Sequence, residues 1–469
     1  MNNTIANVSE FIKTVESKIT TLFDAETLDQ MAKETKFIQR STNRITAIDF
    51  VKLMSLEILD DPMMSTDGLC DMLAKLSPSS QMSGNALQQR LASDGAVAFL
   101  SAVFDDALTQ SLIDVFDQTP TELLAPFSRV WLQDSTQCQL HEQLADTFRG
   151  AGGSSSKSSL KLSLIYEHHH HQIHQIMATD GVTAENTVGE ALIDMLSADD
   201  LVIRDLGYLT VDVLRQIDKK QAFFLSRLQK GIPVFITDDN QATPIDLPLH
   251  IEKKFRGQST IDLVVYLGQK RFPVRLIAYR TPDEVVNQRR RRAHRVAQKR
   301  GRKPSDEYLN WITFTFYVTN VESEIWTHKV VGTIYRLRWQ IELIFKQWKS
   351  LLRIDCLLGT NENRIRCLVF GRMITIVNMS MIFRCLCCYA YAVYQREPSL
   401  FKLTAWLLRG QRLAAAVHNH QIDNLLEAMI IAAPKSLFKQ QRNRKTTQQL
   451  IEKQVEFLNS FREKSWARN

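Results

Sequence analysis

Apolar residues recur at three- and four-residue spacing through Ile45, Phe50, Leu53 and Leu56, and again through Leu69, Met72, Leu73 and Leu76, which predicts helices up to about Pro120. Between Leu69 and Leu91 the chain reads helix, turn (Ser77 to Ser80), then a second helix carrying Gln88, Gln89 and Arg90. This is either a helix-turn-helix or a helical hairpin that only packs. From Ser128 the period changes. A strand over Arg129 to Asp134 is followed by a helix, the Gly- and Ser-rich loop Gly150 to Lys157, and strands over Leu160 to Glu167 and Gln172 to Ala178. A helix around Ala191 to Leu196, a strand over Leu201 to Asp205, a helix over Val211 to Lys219 and a strand over Ala222 to Leu228 come next. Strands at 233–237, 261–267, 273–279 and 312–319 then form a β-rich segment interrupted by the basic stretch Arg289 to Lys303. One long helix is expected from His328 to Leu352. Beyond Asn361 helical periodicity resumes, ending in a polar helix over Thr446 to Arg462.

Three strands, a helix, a strand, a helix and a strand, with Asp at the ends of the first and fourth strands, is the order of a ribonuclease-H-like core. The predicted fold class is therefore α/β: such a catalytic core with a β-strand insertion, flanked by α-helical N- and C-terminal regions. The expected division is residues 1–120 as a helical N-terminal region, 121–230 as the first part of the core, and 231–324 as a basic β-rich insertion. Residues 325–365 complete the core with a glutamate-bearing helix, and 366–469 form a helical C-terminal region.

Charge sharpens this picture. The 469 residues carry a formal +7, but Glu252 to Lys303 alone holds 16 Lys or Arg against 4 Asp or Glu. Met1 to Ser128 holds 9 basic and 18 acidic residues, so a polyanion is expected on the middle of the chain. An N-terminal region reading DNA must do so through local cations such as Lys33, Lys36, Arg40 and Arg44. The seven cysteines form neither a disulfide framework nor paired zinc knuckles, and five of them lie between Cys356 and Cys388. They read as buried thiols in a reducing compartment. The apolar run Leu368 to Tyr394, broken by Arg372, Asn378 and Arg384, reads as a core helix rather than a membrane span. No secretory signal is visible, and a cytoplasmic protein without membrane contact is expected.

The segment IYRLRWQIELIFKQWK, Ile334 to Lys349, carries the most chemical information. At about 100° per residue, Arg338, Glu342 and Lys349 fall within about 60° of Tyr335, whereas Leu337, Ile341, Ile344 and Trp348 take the opposite face. One carboxylate flanked by Arg, Lys and Tyr, after two strand-terminal aspartates, suits metal-dependent phosphoryl transfer on nucleic acid. Mg²⁺ prefers hard carboxylate and water oxygens, and two such ions can bracket a scissile phosphate. The cations on the helix can grip neighbouring phosphates.

The spacing Tyr335-x2-Arg338-x3-Glu342-x6-Lys349 resembles the Y-R-E-K signature of DDE-class transposases of the fourth bacterial insertion-sequence family. Asp134 in WLQDST and Asp205 in VIRDLGY are similar to that family's first and second catalytic motifs, as is LDQMAKETKFIQR to its N-terminal region. Separations of 71 and 137 residues between the three acids match the subgroup with a β-strand insertion. The resemblance implies that Asp134, Asp205 and Glu342 are the catalytic metal ligands, holding two Mg²⁺ ions for which Mn²⁺ can substitute. It implies that Tyr335, Arg338 and Lys349 contact phosphates of the transposon end. It also implies a tryptophan that stacks on a flipped base, for which Trp311 is the candidate, with Phe316 or Tyr317 as alternatives and a core role for Trp311 equally open.

The function so implied is cut-and-paste transposition: strand cleavage at inverted-repeat ends and strand transfer to target DNA by a homodimer. A metal-dependent nuclease of the same fold and an inactive transposase-derived DNA-binding protein are the other readings. In the basic run, Arg289, Arg290, Arg291 and Arg292 are expected on DNA backbone. The run His168 to His171 reads as an exposed hairpin tip rather than a metal site. The Gly150 to Ser158 loop lacks both glycines of a phosphate-binding G-x4-G-K-[ST] motif, which excludes ATP binding there.

Overall fold

The computed structural model describes residues 2–39, 45–61, 63–78, 80, 82–112, 122–152, 156–255, 260–440, 449–451 and 453–454. Helices α1 (Asn2–Leu22), α2 (Ala25–Glu34), α3 (Ala47–Ser55), α4 (Thr66–Leu76), α5 (Gly84–Leu91) and α6 (Asp94–Ser111) precede β1 (Val130–Gln139), β2 (Ser159–Glu167) and β3 (Gln172–Asp180). Next are α7 (Glu185–Met195), β4 (Leu201–Arg204), α8 (Val211–Lys219), β5 (Phe223–Arg227), β6 (Val234–Phe235), α9 (Leu247–Lys254), β7 (Thr260–Leu267) and β8 (Phe272–Arg280). Then α10 (Asp283–Gln298), α11 (Asp306–Trp311) and β9 (Phe314–Thr319) lead to α12 (Val331–Ile334), α13 (Trp339–Ser350), α14 (Glu362–Tyr389), α15 (Leu400–Leu408), α16 (Arg412–His418) and α17 (Ile422–Ala432). The chain forms two compact units, 1–118 with 134–183 and 341–441, and 119–133 with 184–340 and 442–469.

The first unit is built around α14. Its sequence is apolar on all sides, so the helix is buried nearly all round, as such a pattern requires. It is long and apolar enough to cross a membrane, yet 89% of its most apolar stretch is buried inside the protein. Its two buried arginines donate to carbonyls: Arg372 to Leu368 and Cys356 at 3.1 and 2.9 Å, and Arg384 to Ser111 at 2.6 Å. Gly371 allows α14 to meet α3, because a Cβ there would lie 2.1 Å from the Met54 carbonyl. Phe37, Phe50 and Phe99 stack beside this junction. The helical pair α4 and α5 is present; Arg90 donates to the Phe37 carbonyl at 2.7 Å, while Gln88 and Gln89 are exposed.

The second unit holds most of the sheet. The start of β1 pairs in parallel with β4, and β4 in parallel with β5, as expected for a ribonuclease-H-like core. Buried Asp200 locks the β1 entry to β4: it accepts from Arg129 at 2.8 and 3.0 Å, from the Trp131 indole at 3.0 Å and from the Ser197 amide at 2.9 Å. The β-rich insertion does not form a sheet of its own. β9 returns antiparallel to β5, with β8, β7 and β6 beyond it, giving the order β1-β4-β5-β9-β8-β7-β6 in this unit.

Several sequence expectations are corrected. β1 continues to Gln139, so Asp134 lies within the strand rather than at its end, and the helix expected after it is only the 3₁₀ turn Glu142–Leu144. The long helix expected over His328 to Leu352 is α12, a 3₁₀ turn over Tyr335–Arg338, and α13. The His168 to His171 run does form the tip of the β2–β3 hairpin, but it is half-buried, not exposed. Burial and the neighbouring His169 push the His168 ring down to about 4. Arg40, Arg44, Pro120 and most of the expected Thr446 to Arg462 helix lie outside the described residues.

Candidate active site

Asp205 follows the last residue of β4 and opens the 3₁₀ turn Leu206–Tyr208 in extended conformation, without a capping hydrogen bond from its side chain. Its carboxylate is 42% exposed and so is available to solvent and ligands. The Tyr335 hydroxyl lies 3.4 Å from Asp205 Oδ1 and 3.4 Å from the Arg204 carbonyl. Arg338 Nε lies 3.8 Å from the same Asp205 oxygen. The 3₁₀ turn explains this convergence: at three residues per turn, positions i and i+3 eclipse, so Tyr335 and Arg338 project in one column. Their guanidinium-to-ring distance is 6.0 Å.

Tyr335 is buried rather than on an exposed stripe. Burial, then the negative Asp205, raise its hydroxyl well above the ordinary tyrosine range, so it keeps its proton and can donate. Its ring lies 5.0 Å from that of Tyr317, which in turn meets Tyr279 edge-on at 5.7 Å. Tyr279 is fixed in place: its hydroxyl donates to the His328 carbonyl and accepts from the Gly332 amide at 3.2 Å. Half-buried Arg227, the last residue of β5, sits opposite Tyr317 in the ladder, and its charge acts on both Tyr317 and Tyr335. Sequence reasoning missed Arg227. The available signal was its place at the end of the strand after the one bearing Asp205.

In the first unit, half-buried Asp134 accepts from the Ser135 amide at 2.8 Å. Helix α13 buries Ile341, Ile344, Phe345 and Trp348 and leaves Glu342 exposed, as the wheel predicts. Its one buried polar residue, Gln347, donates to Thr404 on α15. Lys349 donates to the Gln137 carbonyl of β1 at 2.8 Å. Thus Lys349 is tied to the strand that carries Asp134, and Tyr335 and Arg338 are gathered on Asp205. Among the described residues, no three His, Cys, Asp or Glu side chains are grouped so that they could hold a metal ion.

The aromatic candidates separate. Trp311 ends α11 with its ring 4.8 Å from buried Phe316, whereas Tyr317 is the one beside Tyr335. Trp339, next to Arg338 and 54% exposed, is a further aromatic that sequence reasoning passed over. The basic run is helical, in α10. Arg289 points inward, donating to Thr281, Ile312, Phe314 and Thr315 at 3.1–3.2 Å, so of the four arginines expected on DNA only Arg290, Arg291 and Arg292 are exposed.

Comparison with known families decides the identity. Residues 125–378, more than half of the chain, match the family described as transposase DDE domain. The chain belongs to the transposase DDE-domain family. Among similar proteins is the transposase for insertion sequence element IS231B from Bacillus thuringiensis subsp. berliner, 29% identical over 74% of this chain and 75% of the relative. That of IS1151 from Clostridium perfringens is 28% identical over 79% of this chain and 80% of the relative. A solved piggyBac transposase synaptic complex with hairpin DNA aligns with TM-score 0.46 and 11% identity, covering 92% of this chain and 87% of that one. The family match spans β1, β4 and α13, the elements that carry Asp134, Asp205 and Glu342.

Proposed function

We propose that this DDE-family enzyme cuts and joins DNA in cut-and-paste transposition of an insertion sequence, with Asp134, Asp205 and Glu342 as its catalytic carboxylates. The observation that carries the reading is the convergence of Tyr335 and Arg338 on the exposed carboxylate of Asp205, at the end of a central parallel strand in a DDE-domain chain. Three carboxylates are hard oxygen donors of the kind Mg²⁺ prefers, with Mn²⁺ able to replace it. The three acids would be the residues that hold the ions. When bound, such ions lower the cost of charge developing on the attacking and leaving oxygens.

The chain's own residues supply the rest. Arg338 offers its guanidinium to a phosphate beside Asp205, and Lys349 provides a point charge. Buried Tyr335 donates without ionising, and Arg227 adds a further cation at the end of β5. Water attacks the phosphodiester at the transposon end and releases a 3′-hydroxyl; that hydroxyl then attacks a second phosphodiester, displacing one strand end for each bond formed. Two ends are handled together by a homodimer on the paired inverted repeats, with the C-terminal helices as its interface, before joining to target DNA.

The test uses labelled duplex bearing the element's ends. Wild-type protein cleaves and joins strands only with Mg²⁺ or Mn²⁺, whereas Glu342→Gln binds the ends and does not cut. Cleavage by that variant at the wild-type rate would remove Glu342 from the site. Cleavage by wild-type protein without any strand joining would reduce the activity to that of a nuclease.

A further inference from the structure

The segment from Arg289 to Lys303 contains nine cations and no carboxylate. Within α10 it has two faces. Val286, Arg289, Ala293 and Ala297 are turned into the protein, at spacings of three, four and four residues. Advancing each by two residues, about 200° around a helix, gives Gln288, Arg291, Arg295 and Lys299, all exposed. The inward face explains why the helix sits where it does. Arg289 Nη1 and Nη2 take up two carbonyls and two threonine hydroxyls, locking α10 to the place where β8 ends and β9 begins, and burial lowers its affinity for a proton. The outward cations are different: among the described residues, Arg291, Arg295 and Lys299 make no ion pair.

We propose that Arg291, Arg295 and Lys299 form a rigid comb for the phosphates of duplex DNA, independent of base sequence and separate from the cleavage residues. The inference rests on the DNA-processing reading above and assigns one DNA contact within it. Three cations four residues apart stand about 6 Å from one another along the helix and span about 12 Å. Duplex DNA presents one charge per roughly 1.7 Å of its axis, so a comb of that length meets phosphates in any register. Cations on one helix face can be satisfied wholly by phosphate oxygens, which carry no base information. The Arg289 lock holds the helix that carries the comb, so only the cationic side chains remain to be ordered on binding. The acidic residues Asp283 and Glu284 lie at the opposite end of α10, in its first turn, where they favour the helix and leave the comb's field intact.

The experiment measures affinity of the full chain for a random-sequence duplex at several salt concentrations, without divalent metal. If the comb contacts three phosphates, the variant R291Q/R295Q/K299Q lowers the slope of log affinity against log salt by about 2.7. Between 0.05 and 0.2 M salt the wild-type protein then loses about 40-fold more affinity than the variant. R291K/R295K keeps the wild-type slope, because the charge is retained. An unchanged slope in the triple variant overturns the proposal, as does an equal loss of slope in R291K/R295K. A variant that binds duplex like the wild type but no longer binds the acidic N-terminal region would show that the comb serves an acidic protein segment, and would also overturn it. If wild-type protein itself fails to bind duplex, the DNA-processing reading falls, which is a separate outcome.

Discussion

The hydroxyl of Tyr335 stands 3.4 Å from Asp205 Oδ1 and an equal distance from the carbonyl of Arg204, the residue before it. A single donor thus senses both the carboxylate and the backbone that aims it. Removing the hydroxyl in Tyr335→Phe keeps the ring against Tyr317 and loses the hydrogen bond. End cleavage by the variant is expected to slow about tenfold, the low end for a hydrogen bond to a charged group, while end binding changes little. Because Tyr335 ionises only well above the usual range, the variant and wild type should have parallel pH profiles between pH 6 and 9. Single-turnover cleavage measures both.

Gln347 and Thr404 form the one buried polar pair under the helix that presents Glu342 and Lys349. Thr404→Val leaves the Gln347 amide without its acceptor and should cost about 1–3 kcal/mol in urea unfolding. Adding Gln347→Leu removes the stranded group, so the double variant should recover most of that loss. Additive losses would show that the two side chains are not coupled.

Gly371→Ala tests the crossing of α14 and α3. The added methyl meets the Met54 carbonyl at a distance no packed pair tolerates, so the helices must separate. Differential scanning calorimetry should show a loss of about 1–3 kcal/mol, the range for overpacking a closed core.

Acid should destabilise the β2–β3 hairpin tip. Its His168 is held at about 4 by burial and by the nearby His169, against an ordinary value near 6.5. Below pH 6.5 the unfolded chain takes up a proton that the folded chain refuses, so stability falls as pH drops from 6.5 to 4 and this contribution then levels off. Glu167 adds a second loss below its unfolded value: burial opposes its ionisation, but hydrogen bonding and charge from His170 outweigh that and hold it at about 2. Urea midpoints measured from pH 7.5 to 4 should fall for wild type and fall less for His168→Asn.

Much of this was legible in the sequence for identifiable reasons. The strands Leu201 to Arg204 and Phe223 to Arg227 are short apolar runs bounded by polar residues, and both appear within one or two residues of their expected limits. The buried face of α13 followed from periodicity alone. The inward turn of Arg289 did not, because a run of four arginines contains no mark of which one finds four acceptors on neighbouring strands. Nor did the 3₁₀ turn beneath Tyr335 and Arg338: a wheel drawn at the α-helical angle sets them about 60° apart on one stripe, whereas the turn eclipses them. The half-burial of His171 at the same tip depended on the helix α14, over two hundred residues later in the chain, whose Phe383 packs edge-on against it.

The return of β9 to lie beside β5 bears on any attempt to reduce the chain to a smaller enzyme. Residues 228–313 look dispensable when the core is drawn as five strands. Cutting them out removes every strand beyond β5 except β9, whose entry would then have to be reached by a direct link from the end of β5, and removes the partner that β9 has in β8. The remaining edge would expose a row of unpaired amides and carbonyls, the kind of surface on which separate chains add to one another. In this chain the extra strands act as the selvage of the sheet, and a minimal version needs a replacement border before it needs any adjustment of its chemistry.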